Sequence, residues 1–351
     1  VGCGALERKM GIHGNSTCVM DFDGATGYLV GEENKGLRYM FTFMNFARLG
    51  TGLQGLAHAE LSFQNSLAYA RDRLQMRSLS GAKNPAGPAD PIIVHPDVRR
   101  MLLTQKAFAE GGRALVYFAS TQGDILTKSE DPEARDLANH VLNFLTPIIK
   151  AFLTETGFES ANLGLQCFGG HGYINEWGVE QNVRDARIAM LYEGTTGVQA
   201  LDLLGRKVLG TRGEALAPVT GFILDFCKRS RGRKELRPYL KTLVRLTKQW
   251  KSLTRKIGFA AMRDRDAVGA ASVDYIMFSG YVLLGVAWAA SARAAYNRLE
   301  QGTSEEAFYR AKIQTAEFYF AKILPRTTSL LELISAGPDS LMTMDEDEFI
   351  F

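Results

Sequence analysis

Apolar residues recur at helical spacing along most of this 351-residue chain. The spacing predicts four long helices in the first part of the chain, over residues 37–72, 97–124, 132–167 and 196–209. Four more are predicted in the second part, over residues 214–230, 234–258, 265–299 and 303–334. The pattern therefore predicts a mainly α protein, with a four-helix bundle followed by an additional helical domain.

Local signals at two points sharpen this pattern. Asp131 is followed by Pro132 and Glu133, an order typical of a helix start, because the Asp side chain caps amides that lack partners. The first 35 residues are rich in glycine and contain a strand-like run over residues 17–22. We therefore expect a small β element before the first helix.

Composition narrows the class of protein. With 46% hydrophobic residues and a net charge of +3, the chain can bury a large core and allows two domains. Its four cysteines and five histidines show no metal-ligand spacing. We therefore predict no metal site and reduced thiols.

A basic segment in the second part raises the question of a nucleic-acid partner. Residues 228–256 are strongly basic, but only Tyr239 and Trp250 are interspersed as aromatic residues, so we predict a solvated helix face and no nucleic-acid partner. A docking surface for CoA phosphates or an acidic partner is the alternative.

The run from Tyr275 to Ala292 is uncharged and about long enough to span a membrane. Its glycines, serines and alanines make the run only moderately hydrophobic. We therefore predict a helix buried in a subunit or domain interface, and no membrane span.

One carboxylate lies where it could do chemistry. Glu193 follows the apolar run 188–191 and precedes Thr195 and Thr196, either of which can cap a helix that stops near Gly210. In apolar surroundings a carboxylate has a raised proton affinity and can act as a general base. The alternative is an ordinary acidic residue placed by the helix dipole alone.

A glycine-rich segment lies upstream, at residues 166–173, and reads Gln-Cys-Phe-Gly-Gly-His-Gly-Tyr. Backbone without side chains lets a ligand approach closely, and its amides can bind phosphate or ribose oxygens. An ordinary loop is the alternative.

Together these segments resemble the carboxy-terminal half of the acyl-CoA dehydrogenases. That family carries Gln-x-Phe-Gly-Gly-x-Gly, an Arg-Asp pair and Tyr-Glu-Gly-Thr, in the order in which this chain has them at residues 166–196. Residues 36–48 resemble the helix that opens the family's bundle, and residues 69–73 resemble its Tyr-Ala-x-Glu-Arg stretch. The tail resembles a larger bacterial subfamily with a helical extension, which includes enzymes acting on 3-methylthiopropanoyl-CoA.

The resemblance implies a domain order. Residues 1–35 would end a β (middle) domain, residues 36–212 would form the family's helical bundle, and residues 213–351 would form the extension. The amino-terminal helical domain and most of the β-domain, with its contacts to the flavin ring, are expected to lie outside this sequence. The proline- and glycine-rich loop 78–97 departs from the family and puts its usual Gln contact to flavin in doubt.

The implied activity is FAD-dependent α,β-dehydrogenation of an acyl-CoA to the trans-2-enoyl-CoA. Glu193 would be the general base and the flavin the hydride acceptor. Possible substrates are 3-methylthiopropanoyl-CoA or a fatty acyl-CoA. The family positions implied to contact FAD are Arg73, Gln166, Phe168, Gly169, Gly170, Thr195, Thr196 and Gly197. Those implied to contact substrate are Asn45, Arg48 and Gly194. For Arg48 a helix-face ion pair, and for Phe168 core packing, are the alternatives.

The resemblance also implies partners and a location. We expect an electron-transfer flavoprotein as electron acceptor, a homodimer whose interface completes each FAD site, and the bacterial cytoplasm. The extension is expected to cover the bundle face that ordinary members use to pair two dimers. Two other functions remain open: an acyl-CoA oxidase, which would produce peroxide in air, and a non-catalytic helical scaffold, which would need neither Glu193 nor the glycine turn.

Overall fold

A computed structural model describes residues 1–350, apart from the side chain of Thr42. The chain begins with an antiparallel hairpin of β1 (Gly2–Leu6) and β2 (Cys18–Asp21). The rest of the described chain is helical or irregular. The helices of the first part are α1 (Gly36–Asp72), α2 (Pro96–Lys128), α3 (Pro132–Phe168), α4 (Gly170–Tyr173), α5 (Val179–Arg187) and α6 (Thr196–Leu201).

Helix α6 continues as a π-helical stretch, Asp202–Leu209, and then the second set of helices begins. These are α7 (Ala217–Arg229), α8 (Arg237–Ala261), α9 (Asp266–Gln301), α10 (Glu306–Phe318), α11 (Arg326–Ser335) and α12 (Asp339–Met342). The predicted mainly α fold is confirmed, and the Asp131 cap is present, since its carboxylate accepts from the Glu133 amide at 2.9 Å.

The sequence pattern was wrong in detail at three places. It missed α5 and the first strand of the hairpin, because both are short. It also predicted one helix over residues 303–334, which the structure divides. A π-helical turn, Tyr319–Ile323, and Pro325 separate α10 from α11, because proline cannot donate the amide hydrogen bond that would continue the helix.

Helices α1 and α3 cross with their backbones in contact. A Cβ atom added at Gly157 would overlap the Gly55 carbonyl, and one added at Gly55 would overlap the Leu153 carbonyl. Only glycine fits at such a crossing. The close approach fixes α3 against α1, and α3 carries much of the candidate site.

Helix α9 contains the uncharged run and lies against the bundle. The Trp288 indole N–H donates to the Ala107 carbonyl of α2 at 3.0 Å, and the Tyr281 ring packs edge-on against Phe152 of α3, with centroids 4.9 Å apart. The helix is long and apolar enough to cross a membrane, but 78% of its most apolar window is buried inside the protein. The predicted burial of this run against the bundle is confirmed.

Helix α8 carries the basic segment. It contains seven Lys or Arg residues and no Asp or Glu, and each of the seven is exposed. Its apolar face, which includes Leu243, Leu246 and Trp250, is buried. The basic face is therefore solvated, as predicted.

Candidate active site

Glu193 lies in a tight turn between the end of α5 and the start of α6. Its φ is +59° and that of Gly194 is +94°, so two successive residues adopt the left-handed conformation. For a residue with a side chain this costs on the order of 1–3 kcal/mol, and such strain is concentrated at functional sites. At Gly194 the positive φ favours glycine, and a Cβ atom there would also displace the Gln199 amide that bonds the Glu193 carbonyl.

Both carbonyls of this turn accept hydrogen bonds from buried side chains. Gln199 donates its Nε2 to the Glu193 carbonyl at 3.1 Å, and Lys150 donates its Nζ to the Gly194 carbonyl at 2.6 Å. The preceding Tyr192 donates its hydroxyl to the Gln54 side chain of α1. The turn is therefore attached to three helices: α1, α3 and α6.

The carboxylate of Glu193 is left without a protein partner. Its Oε2 is buried and makes no hydrogen bond within the part of the chain that the structure describes. The same holds for Oε1 of Gln199 and Nε of Arg48. Buried polar atoms are nearly always paired, so three unpaired ones close to one strained turn fit a site that binds another molecule or water.

Thr195 and Thr196 begin α6 directly after the turn. Oγ1 of Thr195 accepts from the Val198 amide at 3.3 Å, which confirms Thr195 as the cap. The Thr196 hydroxyl donates to Oε1 of Glu155 on α3 at 2.6 Å. A Cβ atom at Gly197 would meet only Oγ1 of Thr195, at 3.9 Å, so the backbone there is open to a ligand.

Lys150 brings a positive charge into this region. Burial lowers the pKa of its ammonium to about 8; the Glu155 carboxylate opposes that shift, Arg48 adds to it, and Glu193 opposes it. The group therefore remains mostly protonated at neutral pH. Sequence reasoning missed Lys150, although a lone cation within the apolar run 144–153 was a usable signal.

Arg48 makes the ion pair given above as the alternative to a substrate contact. Its Nη1 lies 3.5 Å from Oδ2 of Asp202, and both side chains are about nine-tenths buried. Asn45, three residues earlier on α1, donates to Asn143 on α3 at 3.5 Å. These partners come from the bundle itself, so neither contact tests whether substrate also binds there.

A second group of predicted residues surrounds a cavity of about 500 Å³ at the far end of α3. Arg73, Gln166, Phe168, Gly169 and Gly170 all line it. Core packing of Phe168 is confirmed, because the ring is 8% exposed and stacks on Tyr69 with centroids 4.1 Å apart. It also forms part of the cavity wall.

The cavity has the features of an anion site. A Cβ atom at Gly169 or Gly170 would meet nothing within 4 Å, so the backbone faces open space, and φ at Gly169 is +59°. Arg73 is exposed and has no ion pair among residues 1–350. An unpaired guanidinium beside free backbone suits a phosphate or pyrophosphate.

The long loop that departs from the family pattern is held in place by one carboxylate. Asp90 accepts from the amides of Ser78, Lys83 and Asn84 at 2.7–2.9 Å and is completely buried. These bonds, with the Ser78 amide first, hold its pKa near 2, well below the usual range. His95 of this loop lines the cavity together with Gln75 and Met76, which precede the loop and exchange backbone hydrogen bonds with Asp90.

The two groups of residues lie apart on one helix. The Glu193 turn meets α3 at Lys150, whereas the cavity begins at Gln166. Sixteen residues of helix span about 24 Å at 1.5 Å per residue. Within one chain the predicted residues therefore form two separate half-sites.

The bundle with its helical extension is a known fold. The structure matches Caenorhabditis elegans ACDH-11 in complex with C11-CoA with a TM-score of 0.72 and 19% identity, covering 91% of this chain and 50% of that one. It matches a Bacillus anthracis acyl-CoA dehydrogenase complexed with FAD with a TM-score of 0.70 and 19% identity, covering 99% and 57%. The fold is thus that of an acyl-CoA dehydrogenase.

Family models agree with the fold. The model for "Acyl-CoA dehydrogenase, C-terminal domain" matches residues 34–209, and that for "Acetyl-CoA dehydrogenase C-terminal like" matches residues 219–345. The chain belongs to the acyl-CoA dehydrogenase family of flavin-dependent oxidoreductases.

Two curated relatives match nearly the whole chain. The 3-methylmercaptopropionyl-CoA dehydrogenase of Ruegeria pomeroyi is 41% identical over 98% of this chain. The broad-specificity linear acyl-CoA dehydrogenase FadE5 of Mycobacterium tuberculosis is 33% identical over 98%. The chain spans 58% of the length of each relative.

Proposed function

We propose that the full-length protein to which this chain belongs oxidises an acyl-CoA to the trans-2-enoyl-CoA, with Glu193 as general base. The observation that carries the proposal is the Glu193 turn. Its carboxylate has a buried oxygen without a protein partner, and strained backbone holds it in place. Neither feature stabilises the fold, so both fit a residue that acts on a bound molecule.

The reaction removes two hydrogens from adjacent carbons of the acyl chain. In the proposed mechanism the Glu193 carboxylate accepts the proton from the carbon next to the thioester carbonyl. That proton is weakly acidic, so a donor must stabilise the negative charge that develops on the carbonyl oxygen. The backbone N–H of Glu193 has no acceptor among the described residues and is available for this role.

FAD is the cofactor that the two half-sites fit. Arg73 and the Gly169–Gly170 backbone, with Gln166 and Phe168, would hold its pyrophosphate and adenylate end, while Thr195, Thr196 and Gly197 would hold the part near the base. When bound, FAD accepts the second hydrogen as a hydride. The separation of about 24 Å along α3 supports a homodimer in which each FAD draws one half-site from each subunit.

The substrate proposal rests on the relatives. Their names cover 3-methylmercaptopropionyl-CoA and linear acyl-CoAs, so we propose a short or linear acyl thioester contacted by Asn45, Arg48 and Gly194. An electron-transfer flavoprotein as electron acceptor, a cytoplasmic location and the absence of a membrane span belong to the same proposal.

Turnover of the full-length protein across a panel of acyl-CoAs tests the proposal. The panel includes the 3-methylthiopropanoyl, butanoyl and longer linear thioesters, each measured with an artificial electron acceptor and, separately, with oxygen alone. We expect acceptor-dependent formation of the 2-enoyl-CoA with little peroxide. Stoichiometric peroxide in air would instead identify an acyl-CoA oxidase. If no thioester is oxidised, the protein is a non-catalytic helical scaffold.

A further inference from the structure

Lys150 is a lysine with a fully buried side chain in the middle of α3. It lies in an apolar stretch, between Ile148–Ile149 and Ala151–Phe152, where each neighbour is also fully buried. Burying an ammonium costs several kcal/mol unless charges and hydrogen bonds compensate. A methionine would fill the same volume without that cost, so the charge calls for an explanation beyond packing.

The hydrogen bond of Lys150 is made to the turn that carries Glu193. Its Nζ donates to the Gly194 carbonyl at 2.6 Å, and this carbonyl belongs to the residue directly after Glu193. The carboxylates of Glu155 and Glu193 attract the ammonium, and Arg48 repels it. Lys150 thus connects the rigid bundle to the turn that holds the base.

That turn needs support from outside. Left-handed backbone at Glu193 and Gly194 persists only if neighbouring groups hold it. Gln199 holds the first carbonyl, but it belongs to α6, which directly follows the turn in the chain. Lys150 belongs to α3, which is packed backbone to backbone on α1. Tyr192 and Thr196, on either side of the turn, also bond to α1 and α3, but Lys150 is the bundle residue that holds a carbonyl of the turn itself.

We propose that Lys150 is a positioning residue: by holding the Gly194 carbonyl, it fixes the place and direction of the Glu193 carboxylate. The inference rests on the proposed function, in which Glu193 must reach one proton of the bound acyl chain. A misplacement of about 1 Å is enough to lower a rate by about two orders of magnitude. Lys150 itself touches neither the substrate nor the proton.

Lys150→Met in the full-length, FAD-loaded protein tests this proposal. Methionine keeps the volume and removes the donor and the charge. We expect kcat to fall by about 10- to 100-fold while KM and FAD content stay near those of wild type, because binding is kept and alignment is lost. Hydrogen exchange of the peptide covering residues 191–198 should also become faster.

Thr156→Val is the matched control. Thr156 is buried in the same helix, and its hydroxyl donates to the carbonyls of Phe152 and Leu153, within its own helix and away from the Glu193 turn. This variant also removes a buried polar group from α3, but it should leave both kcat and exchange of the turn unchanged. If Lys150→Met does not fold, Lys150→Gln, which is too short to reach Gly194, takes its place with the same expected results.

Three results would overturn the proposal. In the first, Lys150→Met keeps kcat within about threefold of wild type, which is less than the misalignment predicts. In the second, exchange of residues 191–198 does not differ from that in Thr156→Val. In the third, kcat and KM change together as FAD is lost, as expected of a purely structural residue. Failure of the proposed function looks different, because wild type itself would then oxidise no acyl-CoA, while the exchange measurement still decides what holds the turn.

Discussion

Replacement of Trp288 by alanine should destabilise the protein at the contact between the extension and the bundle. Trp288 is 1% exposed, and its indole N–H donates across the interface to Ala107 of α2. It also packs on Gly111, where an added Cβ atom would lie 2.6 Å from the indole nitrogen. The indole therefore fills a site that no smaller side chain can fill.

The expected loss can be worked out from these contacts. A buried Trp→Ala change typically costs about 3–5 kcal/mol, as lost transfer energy plus a cavity. Trp288→Phe keeps most of the ring and loses the hydrogen bond, so it should cost about 1–2 kcal/mol. Total stabilities are about 5–15 kcal/mol, so the alanine variant should lose a large share of its stability.

Urea unfolding of the full-length protein, followed by far-ultraviolet circular dichroism, measures both changes. Phe259→Ala is the control, because that ring is 66% exposed at the end of α8 and its loss should cost less than about 0.5 kcal/mol. Equal midpoints for Trp288→Ala and Phe259→Ala would refute the reasoning. The extension would then not depend on α9 for its attachment to the bundle.

Three further predictions concern the loop, the cofactor and the extension. The pKa of Asp90 is 3.8 in the unfolded chain and is lowered to about 2 in the folded protein. Its carboxylate therefore stabilises the fold fully at pH values above 3.8, and this stabilisation is lost as the pH falls towards 2. Asp90→Asn should therefore lower the melting temperature at pH 6 and make little difference near pH 2; equal effects at both would contradict this. The isolated 351-residue chain should bind FAD weakly, and a tightly held, stoichiometric yellow cofactor would show otherwise. Deletion of residues 213–351 should expose apolar bundle surface, so light scattering should show aggregates or higher oligomers in place of the proposed homodimer.

The long helices could be predicted because their periodic apolar faces are the ones that the core buries. Helix α1 was predicted over residues 37–72 and observed at Gly36–Asp72, and α3 over 132–167 and at Pro132–Phe168. Helix α5 was missed, because three apolar positions over nine residues are too few to establish a period. The pattern predicted a helix over residues 196–209, but its spacing does not distinguish an α-helix from the π-helical stretch observed at Asp202–Leu209.

Some residues of the candidate site could be predicted from the sequence, and others could not. Glu193 and the Gly169–Gly170 turn stand out in the sequence, because a carboxylate in an apolar run and adjacent glycines are local signals. Lys150 carries a similar local signal, as a cation in an apolar run, but its partner Gly194 lies 44 positions along the chain and needed the structure. Gln199 and Asp90 have no such signal, because their roles depend on how the turn and the loop fold. The partnership of Arg48 with Asp202 joins residues 154 positions apart and needed the structure.

The central claim is that Glu193 removes the proton, and Glu193→Gln in the full-length protein tests it most directly. The amide keeps the shape of the side chain but cannot accept the proton, so turnover should fall by at least about two orders of magnitude. FAD content and acyl-CoA binding should be retained, and Glu176→Gln, at an exposed carboxylate, should leave turnover unchanged. Turnover of Glu193→Gln within about tenfold of wild type would remove Glu193 from the mechanism, because loss of a sole base costs more than that.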